Sequence, residues 1–548
     1  MKKIKNLTIK VLMVLMMVGF GITQTFSQTP TWAFAKSAGG TNNGDNNILS
    51  SKADNFGNVY VTGYFKSNTI VFDTITLTND ATDGSMDIFL VKYDTSGNVI
   101  WAKSYGGTKD DYAESITTDV SGNIYLTGTF QSDSVIFDTD TLIRNNNIDY
   151  SVFIVKINSS GGVIWARNSK GNSVFADGQS SSITIDVFND IYITGYFSRG
   201  DDSVLSNIIF DTITLTNTGG YNIFIVKYDS SGNVIWANNE GVGESFSITT
   251  DIIGSIYTVG YFNNMFVVKY DSSGNIIWFK TQNGIVQPNA MSIDNAGNIY
   301  VVGNFENIIV FDTITLTSNG YTDIFIVKYD SSGNVIWARN AGTPNSDNAY
   351  SITVDNSNNI YVTGYFERDS INFGSYTLIN YDTVGTADIF VVKYDSSGHV
   401  IWAKSAGGAL DDKANSITVD IDGNIYVSGY FQSQTIVFDS TTLYYNGMTG
   451  NVFFAKLNNI TNTTGIKTQQ NNVLCSFFQN YNTMNIKIDV TGNYLVNVYS
   501  IIGRKTASYK INQDLIINLS DLSSGVYFVE VVNQDFTCKT TKKFEVIK

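Results

Sequence analysis

A single histidine, His399, occurs in 548 residues, inside "YDSSGHVIWA" (394–403). Catalytic triads and imidazole metal centres place a histidine beside a nucleophile or carboxylates. His399 instead takes the Asn position of an Asp-Ser-Ser-Gly turn, a solvent-facing place, so neither chemistry is expected. Two carboxylates alone can hydrolyse a glycoside. Asp110–Asp111 and Asp411–Asp412 are the pairs to consider, although adjacent Asp residues in polar loops are ordinarily just solvated. The recurrent Asp/Ser/Asn/Gly turns lack the ligand ladder and terminal Glu of a calcium loop. No phosphate-binding glycine loop follows a strand and opens a helix. Cys475 and Cys538 could form a disulfide in an exported protein, or stay as two buried thiols. No catalytic residue, metal or cofactor is expected, and the chain is read as a non-enzyme.

The elements that would position any site are written many times over. "DIFIVKYDSSGNVIWARNAG" (323–342) has near copies at 93–103, 157–167, 228–238, 270–280 and 394–404. Each unit holds four strand signals, as in "SITVD" (416–420), "NIYVSGYF" (424–431), "DIFIVKYD" (323–330) and "NVIWA" (334–338). The second and third are nearly unbroken apolar runs, the pattern of strands buried on both faces. Strands three and four meet at Asp-Ser-Ser-Gly, suited to a type I turn ending in a left-handed residue. Strands one and two meet at similar turns starting from Asp54, Asp119, Asp186, Asp251, Asp294, Asp355 and Asp420. Gly follows three residues later except at Asn189 and Asn358, and Asn is the residue that best replaces Gly there.

Seven tryptophans, Trp32, Trp101, Trp165, Trp236, Trp278, Trp337 and Trp402, share one repeat position and are read as packing between units. A glycine recurs inside every second strand: Gly63, Gly128, Gly195, Gly260, Gly303, Gly364 and Gly429. An interior strand glycine implies close backbone approach or a bulge, and crowding near a central axis would supply it. In six units an insert of roughly twenty residues, often with "FDTITLT", follows strand two; the fourth unit has only Asn263–Asn264 there, so the insert reads as a decoration.

The first repeat opens on a fourth strand, "TWAFAKSAGG" (31–40), and the last stops after a third, "NVFFAKLNN" (451–459). Combining the fragments gives an all-β, seven-bladed β-propeller of four-stranded blades closed by the N-terminal strand. The short turns then share one face, and the inserts and interblade loops share the other. Function is expected on the long-loop face.

Residues 1–27 read as a signal peptide: four lysines flank and precede a short apolar core (11–22), with cleavage between Ser27 and Gln28. About twelve apolar residues are too few to span a bilayer, so no transmembrane segment is expected after signal removal. The net charge of −15 disfavours nucleic acid, whose phosphates need clustered Lys and Arg. Residues 28–459 form the repeat domain, 460–472 a polar linker, and 473–548 a small β-sandwich domain.

The units resemble the SBBP β-propeller repeat family through "SITVDIDGNIYVSGYF" (416–431), "DIFIVKYDSSGNVIWA" (323–338) and "AGG" (406–408). The C-terminal segment is similar to the sorting domain of the type IX secretion system of Bacteroidota. That likeness rests on "NVYSIIGR" with Gly503, "LSDLSSGVYFVEV" with Gly525 and Tyr527, and "KKFEVIK" with Lys542 and Lys543. The resemblance implies export through the periplasm and the type IX machinery, with the protein released or attached to the outer surface. The function read from all this is a non-catalytic interaction or adhesion protein binding a glycan or protein ligand. The alternative is a polysaccharide-active hydrolase or lyase using loop carboxylates.

Overall fold

The computed structural model describes residues 29–458, apart from 42–44, 82–83, 145–149, 172–177, 199–205, 382–384 and 446–450, and most of 475–546. Its regular elements are strands, and among the described residues there is no α-helix. One compact unit ends at Ile460 and a second begins at Thr461.

In the first unit, six antiparallel four-stranded meanders follow one another along the chain. Sheet one holds Asn46–Ala53, Val59–Phe65, Asp87–Tyr93 and Val99–Tyr105. Sheets two to six start at Asp111, Gly178, Glu244, Val286 and Asn348. A seventh group has three strands, Asp412–Val419, Ile425–Phe431 and Asn451–Leu457, and its fourth place is taken by Trp32–Thr41. That pairing is antiparallel, with Ala35 opposite Ala455 and Ser37 opposite Phe453.

Second and third strands are buried along nearly their whole length, as their apolar runs predict. The turns form as expected, with Gly57 and Gly97 at φ 82° and 81°, and Asn189 and Asn358 at 65° and 61°. Each turn Asp is consumed locally. Asp54 Oδ1 accepts from the Phe56 and Asn58 amides, and its Oδ2 accepts from Tyr60 Oη and Asn58 Nδ2. Among the described residues no cluster of His, Cys, Asp and Glu could hold a metal.

Neighbouring sheets touch through their first strands. Serine hydroxyls of one strand accept amides of the next: Ser50 from Ile116, Ser115 from Ile183, Ser182 from Ile248, Ser247 from Met291 and Ser351 from Ile417. Ala290 stands where sheet five would have its serine, and Asn289 there donates to the Ala349 carbonyl instead. Ser416 of sheet seven accepts the Ser51 amide of sheet one.

Three readings are corrected. Trp32 does not share the position of the other tryptophans. Trp101 and Trp337 lie opposite Lys92 and Lys328, whereas the residue opposite Lys456 is Phe34. Trp32 sits two residues earlier, at the place of Val99, edge-on to Phe438 at 4.9 Å. The strand-two glycines answer a bulge in the adjacent first strand rather than crowding at an axis. Gly63 lies opposite Ile48, where the register slips, and a Cβ there would meet the Asn47 carbonyl oxygen. The inserts are not decoration. Each contains a short hairpin, such as Thr69–Phe72 with Ile75–Thr78, whose Ile70, Phe72 and Leu77 are buried in the core. The first turn residue is left-handed, Asp73 or its equivalents at φ 51–54° and Gly374 at 59°. Asp73 also accepts the Val99 amide of the fourth strand at 3.1 Å.

The second unit has a three-stranded and a four-stranded antiparallel sheet around Val496, Val498, Val529 and Val531. Tyr527 is buried and donates to the Ser523 carbonyl, while Gly525 has φ 154°. Lys542 and Lys543 pair with Val529 and Phe528 along the last strand. Ser27, Gln28, residues 460–472, Gly503 and Cys538 lie outside the described residues, so neither the cleavage point nor the cysteine pairing is seen.

Because the hairpins are core, Phe373→Ala should cost about 3–5 kcal/mol in a denaturant melt, as for other buried aromatics. A loss under about 1 kcal/mol would return the insert to a peripheral role.

Candidate functional site

The long-loop side begins with its carboxylates. Asp111 and Asp412 are fully buried and serve as loop caps. Asp111 accepts from the Gln131 and Ser132 amides and from Ser132 Oγ; Asp412 does the same with Gln432 and Ser433. Asp110 accepts the Met86 amide and Asp411 the Ala387 amide. These four side chains therefore hold loops. At the corresponding place between sheets seven and one, Asn46 makes the same contacts to Lys66 and Ser67.

Each such Asp faces a second one from the preceding sheet. Asp87 and Asp111 share the Gly107 amide, Asp323 neighbours Asp347, and Asp388 neighbours Asp412. Burial, reinforced by the like charge opposite, pushes Asp87, Asp347 and Asp412 up to about 7. Burial pushes Asp111 and Asp323 up to about 6. The glycine pairs follow from this crowding: a Cβ on Gly106 would strike Asp87, and one on Gly107 would strike Ser132.

Variation between repeats concentrates three residues beyond the capping position. The extra residue of each first-strand bulge is Leu49, Glu114, Ser181, Phe246, Asn289, Tyr350 or Asn415. All seven are half-buried, and their chemistry differs while the strand around them repeats. Burial pushes Glu114 up to about 7.

Tyrosines from the same end join them. Tyr64 packs on Tyr112 at 6.4 Å, Tyr112 on Tyr150 at 6.5 Å, and Tyr350 on Tyr365 at 5.5 Å. Tyr112 also interacts with Glu114 and Tyr196, and Tyr430 with Tyr64 and Tyr350. Ring contacts thus join sheets one and two, and further tyrosines of sheets three, six and seven stand within electrostatic reach of them. Lys413 Nζ stands 4.2 Å from the Tyr365 ring centre. Amides accompany the rings: Asn415 Nδ2 donates to Asn47 Oδ1 and the Ile48 carbonyl, and Tyr196 donates to Gln179. Aromatic faces beside amides, one acid and one cation can stack against and hydrogen-bond a polar ligand.

The opposite, short-turn side has a depression of about 370 Å³ among Lys52, Thr117, Asp119, Thr184, Asp355 and Asp420. Its aspartates are spent on their own turns and tyrosines. His399 is an exposed turn residue 3.3 Å from Asp395, as its sequence position predicts.

All seven tryptophans lie in fourth strands, six of them at the shared repeat position, and they are distributed around the sheets rather than gathered in a site. Sequence reasoning left the ligand residues unknown. The missed signal is the residue just before Ser-Ile-Thr, as in "ESITTD", "FSITTD", "YSITVD" and "NSITVD", which changes in type from unit to unit.

The family of beta-propeller repeats named SBBP matches residues 336–365 and 401–430. The secretion system C-terminal sorting domain matches residues 478–548. The chain thus carries propeller repeats and a sorting domain, and that domain marks it for secretion by the type IX route to the cell surface or extracellular space. An uncharacterised WD repeat-containing protein of Acanthamoeba polyphaga mimivirus is 28% identical over 447 residues, covering 71% of this chain and 30% of that protein. Of solved structures, the Dos1 propeller aligns at 9% identity and TM-score 0.39, covering 78% of this chain and 94% of the other. The quinohemoprotein alcohol dehydrogenase of Comamonas testosteroni aligns at 10% and 0.41, covering 84% and 80%. Both structural likenesses are distant. No described helix is long and apolar enough to cross a membrane.

The buried carboxyl pairs have a pH signature. A carboxyl whose folded pKa lies above its unfolded value of about 4 stabilises the fold below that value, and the contribution is lost as pH rises to about 7. The melting temperature should therefore fall between pH 5 and pH 8. Asp87→Asn, which copies Asn451 at the same place in the third strand of sheet seven, should flatten part of that slope. A melting temperature that rises over this window would show the pairs to be ionised throughout.

Proposed function

We propose that the seven sheets close into one seven-bladed propeller that presents a non-catalytic binding site on the long-loop side of its axis. Support for closure comes from the Trp32–Thr41 ladder on Asn451–Leu457 and from the serine–amide bonds that run from first strand to first strand. The ligand is a surface glycan, which tyrosine faces and asparagine amides suit. A peptide is the second reading, favoured by the mixed apolar, polar and acidic chemistry of the half-buried bulge residues.

The single observation that carries the proposal is the bulge column. A scaffold that repeats its strands, turns and clamps this closely changes side-chain type from sheet to sheet at the inner edge. Repeat frames use their variable positions for recognition. The non-catalytic reading is supported over the hydrolase or lyase alternative by the loop amides that Asp110, Asp111, Asp411 and Asp412 accept. On this proposal residues 1–27 are a signal peptide for transfer to the periplasm, residues 460–472 link propeller to sorting domain, and the protein works at or beyond the outer surface of a Bacteroidota cell as an adhesin.

The test is a glycan panel incubated with the full chain, reading retention and product release together. Saturable retention without release is expected. Tyr350→Ala should weaken it at least tenfold while leaving the melting temperature within a few degrees, since the side chain is half-exposed. Retention unchanged by Tyr350→Ala and by Glu114→Gln would remove the site from the axis, and sugar release would make the protein an enzyme.

A further inference from the structure

The fourth sheet lacks the insert hairpin, and its surroundings record the loss. Phe65, Phe130, Phe197, Phe305, Phe366 and Phe431 lie at or next to the ends of the other second strands and are at most 1% exposed. Their equivalent, Phe262, is 48% exposed. Ile276 and Phe279 on the fourth strand are each more than half exposed. Together with Glu240, Val242 and Phe266 they line a cavity of about 400 Å³ at the joint of sheets three and four.

The other joints show what fills this place. In sheet one, Phe72 of the hairpin packs on Phe89 at 5.2 Å. In sheet four the ring facing Phe266 is Phe279, stacked at 6.0 Å, on the sheet's own outer strand at the position of Ala102. It replaces one hairpin contact and leaves the rest of the space open. Backbone pairing is part of the arrangement as well. The end of the preceding outer strand pairs with the hairpin through Gly40 and Ile70, Gly171 and Ile208, and Gly407 and Val437. At the fourth joint the corresponding strand end is Asn239–Val242, whose residues border the cavity. A further substitution matches the missing hairpin. Lys103 and Lys404 bind the turn aspartates Asp138 and Asp439 of the next hairpin, but the residue facing the vacancy is Asn238.

The geometry points to the fourth joint as a docking site for a β-hairpin of a partner protein. That hairpin supplies an alternating apolar pair, Ile or Val two residues before Phe, and adds its first strand beside Asn239–Val242. Strand addition of this kind draws affinity from main-chain hydrogen bonds and specificity from side-chain pockets. A turn residue without negative charge suits Asn238. Among the described residues the six insert hairpins are seated in their own joints, which makes another protein the occupant of this proposal.

The probe is a hairpin peptide with the sequence of residues 308–317 but Asn in place of Asp312, closed by a terminal disulfide, titrated against the full chain by fluorescence anisotropy. Saturable binding is expected. Three changes should each weaken it at least tenfold: alanine for the probe's phenylalanine, Ile276→Asp in the chain, and a graft of the sequence 306–322 in place of Asn263–Asn264. Ile276 is exposed, so its variant keeps the fold, and circular dichroism checks the graft. Absence of saturable binding, or equal binding to the grafted chain, overturns the assignment. Sedimentation as a dimer that the probe dissociates would identify a second copy as the occupant and overturn the partner reading.

Discussion

One carbonyl at each of six sheet joints ties the repeat array together. In sheets one to six the turn between strands three and four presents a serine or threonine carbonyl to the sheet before it, whereas the strands in those places of sheet seven come from opposite ends of the unit and share no turn. Trp101 Nε1 and Lys92 Nζ both donate to the Ser159 carbonyl, and Trp165 and Lys156 both donate to Ser230. The lysine is also held over the ring of Tyr60 or its equivalents, about 5 Å from the centre, and that tyrosine donates to the Asp that starts the first turn. Asp, Tyr, Lys and Trp thus form one chain of contacts from a sheet's own turn to its neighbour's. Its partners are buried or half-buried, so each unmade bond would leave a desolvated polar group. Lys456 reaches the Thr95 carbonyl of sheet one, carrying the pattern from the last sheet to the first. Phe34 stands in for tryptophan at that joint and cannot donate, which leaves lysine alone on the carbonyl.

Turn chemistry and strand burial were legible because they are local. Asp-x-x-Gly fixes a left-handed fourth residue wherever it occurs, and an unbroken apolar run reports burial on both faces. The N-terminal strand's partner could be found by counting fragments, since a missing fourth strand and a surplus one have complementary shapes. Registers were less legible. Trp32 carries the residue type of the column but not its place, and only pairing with Lys456 identifies Phe34 as the true member. A bulge leaves no mark within one strand; its sign is the glycine across the ladder, Gly63 or Gly364, which points to a bulge or a close backbone approach without saying which.

The inserts teach a related point. Absence of a segment in one of seven copies suggested that the segment was dispensable. The structure shows that its removal was accompanied by change elsewhere: Phe279 for alanine and Asn238 for a cation. Dispensability of a repeat element is therefore a property of the joint that lost it and does not transfer to the other six. The candidate axial site had the opposite problem. Its residues vary in type, so a search for recurring motifs passes over them, although variation inside a uniform frame is their signature.

The ladder between Trp32–Thr41 and Asn451–Leu457 joins residues over four hundred positions apart. During synthesis, and again if the chain crosses a membrane from its N-terminal end, the first-made strand waits for a mate that emerges last. Loop-closure entropy grows only logarithmically with length, so the wait costs little more free energy than a far shorter separation would. Its burden is kinetic: an unpaired apolar strand edge persists while six sheets assemble beside it. Assembly of this unit consequently has a natural last event, and a chain cut short before Leu457 would carry that edge uncovered.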